Sequence, residues 1–230
     1  MRSPTESLKP KQVALCKREA DADRALVLIV DDDERVRLAI QELVQSVGLE
    51  AACFASTQEL LESEAYGRPG CLVLDVRLPG LSGLDFQQYL NSSGKTKPIV
   101  FLTGHADVAM TVQAMKAGAV DFLTKPCRDQ SLLDAIKAAI ERDIAQRAEE
   151  TIVQQQLERF DTLTARERQV FREVANGRFN KQIAFELGIS EVTVKLHRGN
   201  VMRKMQAASV GSLIRAWEML PSGIRDKKAH

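Results

Sequence analysis

Five short apolar runs, each followed by a stretch with helical spacing, constrain this chain most. Segments 26–31, 49–54, 71–75, 98–103 and 120–124 read as strands. Between them lie helical patterns: 34–47, a short one capped by Ser56, 84–91, 107–117, and a fifth from about 129. In 34–47 the apolar residues Val36, Ala39, Ile40, Leu43, Val44 and Val47 fall at helical spacing, and Gly48 stops the run. Strands that alternate with helices predict an α/β doubly wound, five-stranded parallel sheet with helices on both faces. Parallel sheets carry function at the carboxyl ends of their strands.

Four of the five predicted strands end in chemistry. Leu26–Val30 runs into Asp31, Asp32 and Asp33; Cys71–Leu74 into Asp75; Ile99–Leu102 into Thr103; and Val120–Thr124 into Lys125 and Pro126. Carboxylates, a hydroxyl and an ammonium in one crevice suit a hard divalent cation and a phosphoryl group. Asp75 is the candidate nucleophile, since a carboxylate can attack phosphorus to form an acyl phosphate. Asp31 and Asp32 repel each other unless a cation joins them, so they are the candidate metal ligands. Lys125 is a point charge on a flexible stem that can reach phosphoryl oxygens. Thr103 can hydrogen-bond one of those oxygens, and Gly104 leaves the backbone room beside it. Taken singly, the bland readings stand: a turn aspartate, a surface lysine. Asp33 reads as the start of the following loop.

The wording of Leu28–Glu34, Leu74–Gly83 and Lys116–Pro126 resembles the receiver domain of two-component response regulators over roughly residues 26–140. The resemblance implies a flavodoxin-like fold in which Asp75 accepts phosphate from a phosphohistidine on a sensor histidine kinase. It implies direct ligation of Mg²⁺, or Mn²⁺, by Asp32 and Asp75, with Asp31 acting through water and the Arg77 backbone carbonyl completing the set. A cis peptide at Lys125–Pro126 is implied as well. So is a switch in which Phe122 swings inward when Thr103 is drawn to the phosphate, although a strand-face hydrophobe explains Phe122 equally simply. Cys127 stands where the family often has an aromatic residue.

Composition narrows the setting. The 230 residues are 44% hydrophobic and 27% charged, and no apolar stretch approaches the ~20 residues of a membrane helix. The start lacks a signal-peptide core, so a cytoplasmic location without membrane partners is expected. Cys16, Cys53, Cys71 and Cys127 are scattered, which fits reduced small hydrophobes better than zinc. Charge is divided: residues 26–127 hold 8 Lys+Arg against 13 Asp+Glu, while 161–230 hold 13 against 7. An acidic cation-binding half thus precedes a basic half suited to a polyanion.

The basic half carries only helical patterns. Thr164 and Glu167 form a capping-box pair for a helix over 165–176. Helix 180–187 ends at Gly188, Ser190 caps a helix over 191–205, and a fourth runs from Ser209 to about Leu220. Two short helices across Leu187–Ser190 make a helix-turn-helix. Segments Leu163–Arg168, Asn180–Ala184, Thr193–His197 and Met202–Met205 resemble the LuxR-type DNA-binding domain, and receiver plus LuxR-type domain resembles the NarL/FixJ subfamily. Thr103–Asp107 and Phe122 lean toward its FixJ branch. The resemblance implies double-stranded DNA as ligand, RNA polymerase as a partner, and a homodimer formed on phosphorylation. Helix 191–205 would be the recognition helix, with Thr193 in its first turn. Lys195 and Leu196 match positions that face base edges in related proteins. Arg198, Asn200 and Lys181 read as phosphate contacts, and Lys204, one of the charges of this helix, as a further candidate DNA contact. Asn180 is either a phosphate contact or the N-cap of its helix. Gly199 costs helix stability, about 1 kcal/mol against Ala. Val210, Leu213, Ile214 and Trp217 are expected to share one apolar face, divided between the domain's own core and a second dimer contact.

The layout expected is a disordered leader over 1–25, a receiver over 26–140, a helical linker over 141–160, a DNA-binding domain over 161–224 and a tail over 225–230. Two other functions fit parts of this pattern. An Mg²⁺-dependent phosphotransfer enzyme of the Asp-nucleophile type would place a second Asp two residues after the first, and here position 77 is Arg. A receiver that only docks partners would not need the helix-turn-helix residues.

Overall fold

The computed structural model describes residues 24–94 and 96–225; residues 1–23 of the leader expected over 1–25, Cys16 among them, and residues 226–230 of the tail expected over 225–230, with His230, lie outside them. The chain divides into two compact units, residues 1–146 and 147–230.

In the first unit, strands β1 (Leu26–Val30), β2 (Glu50–Phe54), β3 (Gly70–Leu74), β4 (Ile99–Thr103) and β5 (Asp121–Thr124) form one parallel sheet in the order β2-β1-β3-β4-β5. Helices α1 (Glu34–Ser46), α2 (Thr57–Glu62), α3 (Gly83–Ser92) and α4 (Val108–Lys116) alternate with the strands, and α5 begins at Asp129 and runs to Asp161. A single-turn helix over Glu64–Gly67, absent from the sequence reading, leads into β3. Strands alternate their side chains, so each feeds two cores. Leu28, Leu72 and Phe101 pack with Leu60, Phe86 and Leu90 on one face; Val27, Ile29 and Val73 pack with Ile40, Val44 and Ile136 on the other. Each fully buried side chain of this kind contributes about 1.5–3 kcal/mol. On α1 the buried residues are Ile40 and Val44, whereas Val47 lies past the helix end and is exposed.

Start signals place the helices. Asp33, Ser56, Ser82 and Asp107 each accept a backbone N–H of the first turn of α1, α2, α3 and α4. Asp33 is therefore an N-cap as well as a loop residue. Gly70 has φ +129, and a Cβ there would sit 2.1 Å from the Leu26 carbonyl oxygen, so only glycine fits. Burial pushes the Cys71 thiol up to about 12, which makes it a core hydrophobe. Along α5, Ile136 and Ile140 are buried but Ile144 is exposed, so the apolar stripe leaves the first core near 144.

The second unit is helical: the end of α5, then α6 (Ala165–Ala175), α7 (Asn180–Leu187), α8 (Glu191–Lys204), α9 (Val210–Glu218) and a short α10 (Ser222–Arg225). Thr164 and Glu167 cap α6 reciprocally, and Gly188 ends α7 in the left-handed conformation, φ +64. The core gathers Phe160, Phe171, Ile183, Val194, Leu213 and Trp217, with Trp217 edge-on to Phe171 at 5.0 Å. Leu213 and Trp217 are thus spent inside their own unit, and Val210 is exposed, which divides the face expected on α9. The N-cap expected of Asn180 is corrected: Phe179 holds that position and Asn180 is the first helical residue. The Gln182 side chain reaches back to the Phe179 N–H at 2.8 Å, so the cap needs no side chain from Asn180.

Candidate functional site

Beside β1, the chain continues to β2 on one side and to β3 on the other, so the order reverses between β1 and β3. Ligands favour the crevice at such a reversal, outside the carboxyl ends of the strands. Asp31 and Asp32 follow β1 and Asp75 follows β3. One carboxylate oxygen from each lies within 4.8 Å of the others. Asp31 and Asp75 are buried and Asp32 is exposed, which gives a site closed below and open to solvent.

Backbone amides anchor two of the carboxylates. The Asp31 Oδ1 accepts the Asp33 N–H at 3.0 Å, and the Asp75 Oδ1 accepts the Arg77 N–H at 3.0 Å. Lys125 leaves β5 across a cis bond to Pro126 and donates to Asp31 Oδ2 and, at 2.7 Å, to Asp75 Oδ2. Burial holds the Asp31 carboxyl above its ordinary range, opposed by Lys125 and the Asp33 N–H, while the charge of Asp75 adds to the rise. Burial acts against the Lys125 ammonium too, but the two carboxylates outweigh it and hold this lysine above its ordinary value. Two buried acids and one cation are an incomplete balance. Oxygen donors at this spacing, with the Arg77 backbone beside them, fit a hard cation such as Mg²⁺.

Thr103 is fully buried at the end of β4, where its hydroxyl accepts the His105 N–H at 3.3 Å and its carbonyl accepts the Lys125 N–H at 2.8 Å. Gly104 beside it is exposed. Phe122 is half-buried against Phe101, ring centres 5.7 Å apart. Gly83 contributes a support that the motifs did not single out. Its missing Cβ would lie 2.3 Å from the Asp75 carbonyl oxygen, so α3 begins tight under the candidate nucleophile.

In the second unit, α8 buries Val194 and Val201 and turns Val192, Lys195, Leu196, Gly199 and Arg203 outward. Those five recur at i, i+3, i+4, i+7 and i+11, one stripe of a helix. Lys181 is exposed on α7. The remaining expected DNA contacts have internal partners. Arg198 donates to Asn180 Oδ1 at 2.8 Å, the Asn200 side chain accepts from Arg203 at 3.1 Å, and the Thr193 hydroxyl meets Ser190 Oγ at 2.8 Å. Lys204, also an expected DNA contact, has internal partners too. Its ammonium lies 2.7 Å from the buried Glu167 carboxylate and 3.0 Å from the Thr162 carbonyl, joining α8 to the start of α6. Val192 was not singled out in the sequence, where a valine beside a cap reads as ordinary helix.

Among the described residues no helix is long and apolar enough to cross a membrane. Residues 27–137 match the family model for the response regulator receiver domain, and residues 161–216 that for bacterial regulatory proteins of the luxR family. Nodulation protein W of Bradyrhizobium diazoefficiens is 52% identical over 86% of this chain and 87% of its own length. The transcriptional regulatory protein FixJ of Azorhizobium caulinodans is 41% identical over 82% of this chain and 90% of its own. The solved structure of the response regulator StyR superposes with a TM-score of 0.74 at 44% identity, covering 85% of this chain and 98% of that one.

Proposed function

The chain belongs to the response regulators of the NarL/FixJ subfamily, and on that premise we propose that Asp75 is its phosphoacceptor and the outer stripe of α8 its DNA-reading face. The protein is a DNA-binding transcriptional response regulator, and its homologues are regulators, not enzymes. The observation that carries the reading of Asp75 is the convergence of Asp31, Asp32, Asp75 and Lys125 at one reversal of strand order.

In this reading a histidine kinase presents a phosphohistidine. An Asp75 oxygen forms the new bond to phosphorus as the phosphorus–nitrogen bond of the donor breaks. Asp32 and Asp75, with the Arg77 carbonyl, would hold Mg²⁺ or Mn²⁺, Asp31 acting through water; the bound ion would neutralise charge on the phosphoryl oxygens. Lys125 transfers its hydrogen bond from Asp75 to a phosphoryl oxygen and keeps its partner Asp31. The Thr103 hydroxyl, which accepts the His105 N–H here, turns to donate to another phosphoryl oxygen, and Phe122 follows into the space beside it. Exposed Val108, Val112 and Met115 on α4 lie next in the chain to this switch and supply an apolar surface for a homodimer. A dimer forms on phosphorylation only if it holds the phosphorylated state better than the monomer does. Two α8 helices then enter successive major grooves about 10 base pairs apart, and RNA polymerase is the downstream partner.

Acetyl phosphate with Mg²⁺ should add one phosphoryl mass, labile in alkali and absent from Asp75→Asn. Undiminished labelling of that variant would refute the assignment. Sedimentation with and without beryllofluoride tests the dimer, which an identical mass in both would exclude.

A further inference from the structure

The outward stripe of α8 has a composition that its charge alone does not explain. Val192 is 76% exposed and Leu196 63% exposed, and they sit one turn apart, with Gly199 one turn further on. Among the described residues nothing requires that glycine. Its backbone is ordinary helix, and a Cβ built there meets no atom within 4 Å. Glycine in a helix interior is destabilising, so its presence needs a reason outside the fold. Lys195 is the single hydrogen-bonding side chain among Val192, Lys195, Leu196 and Gly199, and it is donor-only. It can address acceptors on base edges, but this part of the stripe has no acceptor for the amino groups of adenine or cytosine.

We propose that Val192, Leu196 and Gly199 form an apolar track that reads the C5-methyl groups of thymines flanking the base addressed by Lys195. The thymine methyl is the one apolar feature of the major groove, and contact with it is how an aliphatic side chain carries sequence information. Gly199 lets the helix backbone approach the groove where a side chain would hold it away. Lys195 and Arg203 on the same stripe, within a half of the chain that holds 13 Lys+Arg against 7 Asp+Glu, supply the attraction to the duplex. Val192 and Leu196 are four residues apart, about 6 Å along the helix, so the two thymines fall about two base steps apart. The track rests on the assignment of α8 as the DNA-reading helix.

The test uses the full chain with beryllofluoride and Mg²⁺. Duplexes are first selected from a random pool, and each conserved thymine of a half-site is then replaced by deoxyuridine, which removes only the methyl. Each of two replacements should weaken binding about fourfold, the value of one buried methyl group. Leu196→Ala should abolish the penalty at one position and Val192→Ala at the other. Gly199→Ala should melt no lower than the native protein yet bind the selected duplex less tightly, opposite directions that a purely structural role would not give. Equal affinity of the native protein for thymine and deoxyuridine duplexes would overturn the inference while leaving DNA binding intact. Failure to bind any duplex, methylated or not, would overturn the DNA-reading assignment with it.

Discussion

In the sheet crevice the polar side chains that matter are mostly buried and already paired: Asp31 and Asp75 with Lys125, Thr103 with a backbone amide. Along α8 the reverse holds. Lys195 points into solvent, while Lys204, further along the same helix, pairs with the buried Glu167 carboxylate. The contrast follows from what each region handles. A phosphoryl group is small and must be enclosed by preorganised partners, because electrostatics gain strength where water is excluded. A duplex is large, so the groups that read its base edges must stand outside the surface.

The largest expected effect sits under the crevice. Gly83→Ala forces a methyl against the Asp75 carbonyl and should cost the first unit about 3 kcal/mol, the upper end of overpacking. Hydrogen exchange resolved by peptide should rise in β3 and α3 and stay unchanged in α6 to α9. Protection retained in β3 would show that the strand end tolerates movement and would break the contrast.

Next comes the lysine with an internal partner. Removing one member of a buried ion pair costs about 3–5 kcal/mol, and the partial exposure of Lys204 reduces this to about 2 kcal/mol. Lys204→Met should show that loss in denaturant titrations and leave sequence preference alone. A changed preference with unchanged stability would return Lys204 to the DNA face. The same pair sets a pH dependence. Burial raises the Glu167 carboxyl, but Lys204 and the Thr164 donors outweigh it and hold it below its ordinary range. A depressed carboxyl stabilises the fold above the unfolded value, about 4.3, and that contribution is lost as pH falls through the folded value. Acid titration should therefore destabilise the native protein more steeply below about pH 4 than Glu167→Gln.

Lys195→Ala should do the opposite of Lys204→Met. Discrimination between specific and random duplexes should fall by about 1.5 kcal/mol, and stability should shift by no more than about 0.5 kcal/mol. Equal losses on both duplexes would move the reading face elsewhere. The smallest effect belongs to Lys181→Ala, which should weaken all duplexes alike and lower the salt slope by about one.

Much of this was legible in the residues. Strand-to-helix alternation foretold the five-stranded parallel sheet, and the capping residues Ser56, Thr164, Ser190 and Ser209 marked helix starts because a cap is a local hydrogen bond. Asp31, Asp75 and Lys125 each follow a strand and Thr103 ends one, and in a parallel sheet all such ends face one way, so their convergence could be foreseen. Asn180 was less legible, since an asparagine before a helix has the right chemistry for a cap whether or not Phe179 and Gln182 make one without it.

The sequence by itself determined the order of elements, their hydrophobic faces and the set of groups at the strand ends, because periodicity and caps act over a few residues. Only the tertiary structure decided which charges find a partner inside the fold. Lys204 and Lys195 are both lysines of one helix, nine positions apart, and no local pattern separates them. What separates them is Glu167, 37 residues back in the chain: a buried carboxylate must be compensated, and the helix packing brings Lys204, not Lys195, within 2.7 Å of it.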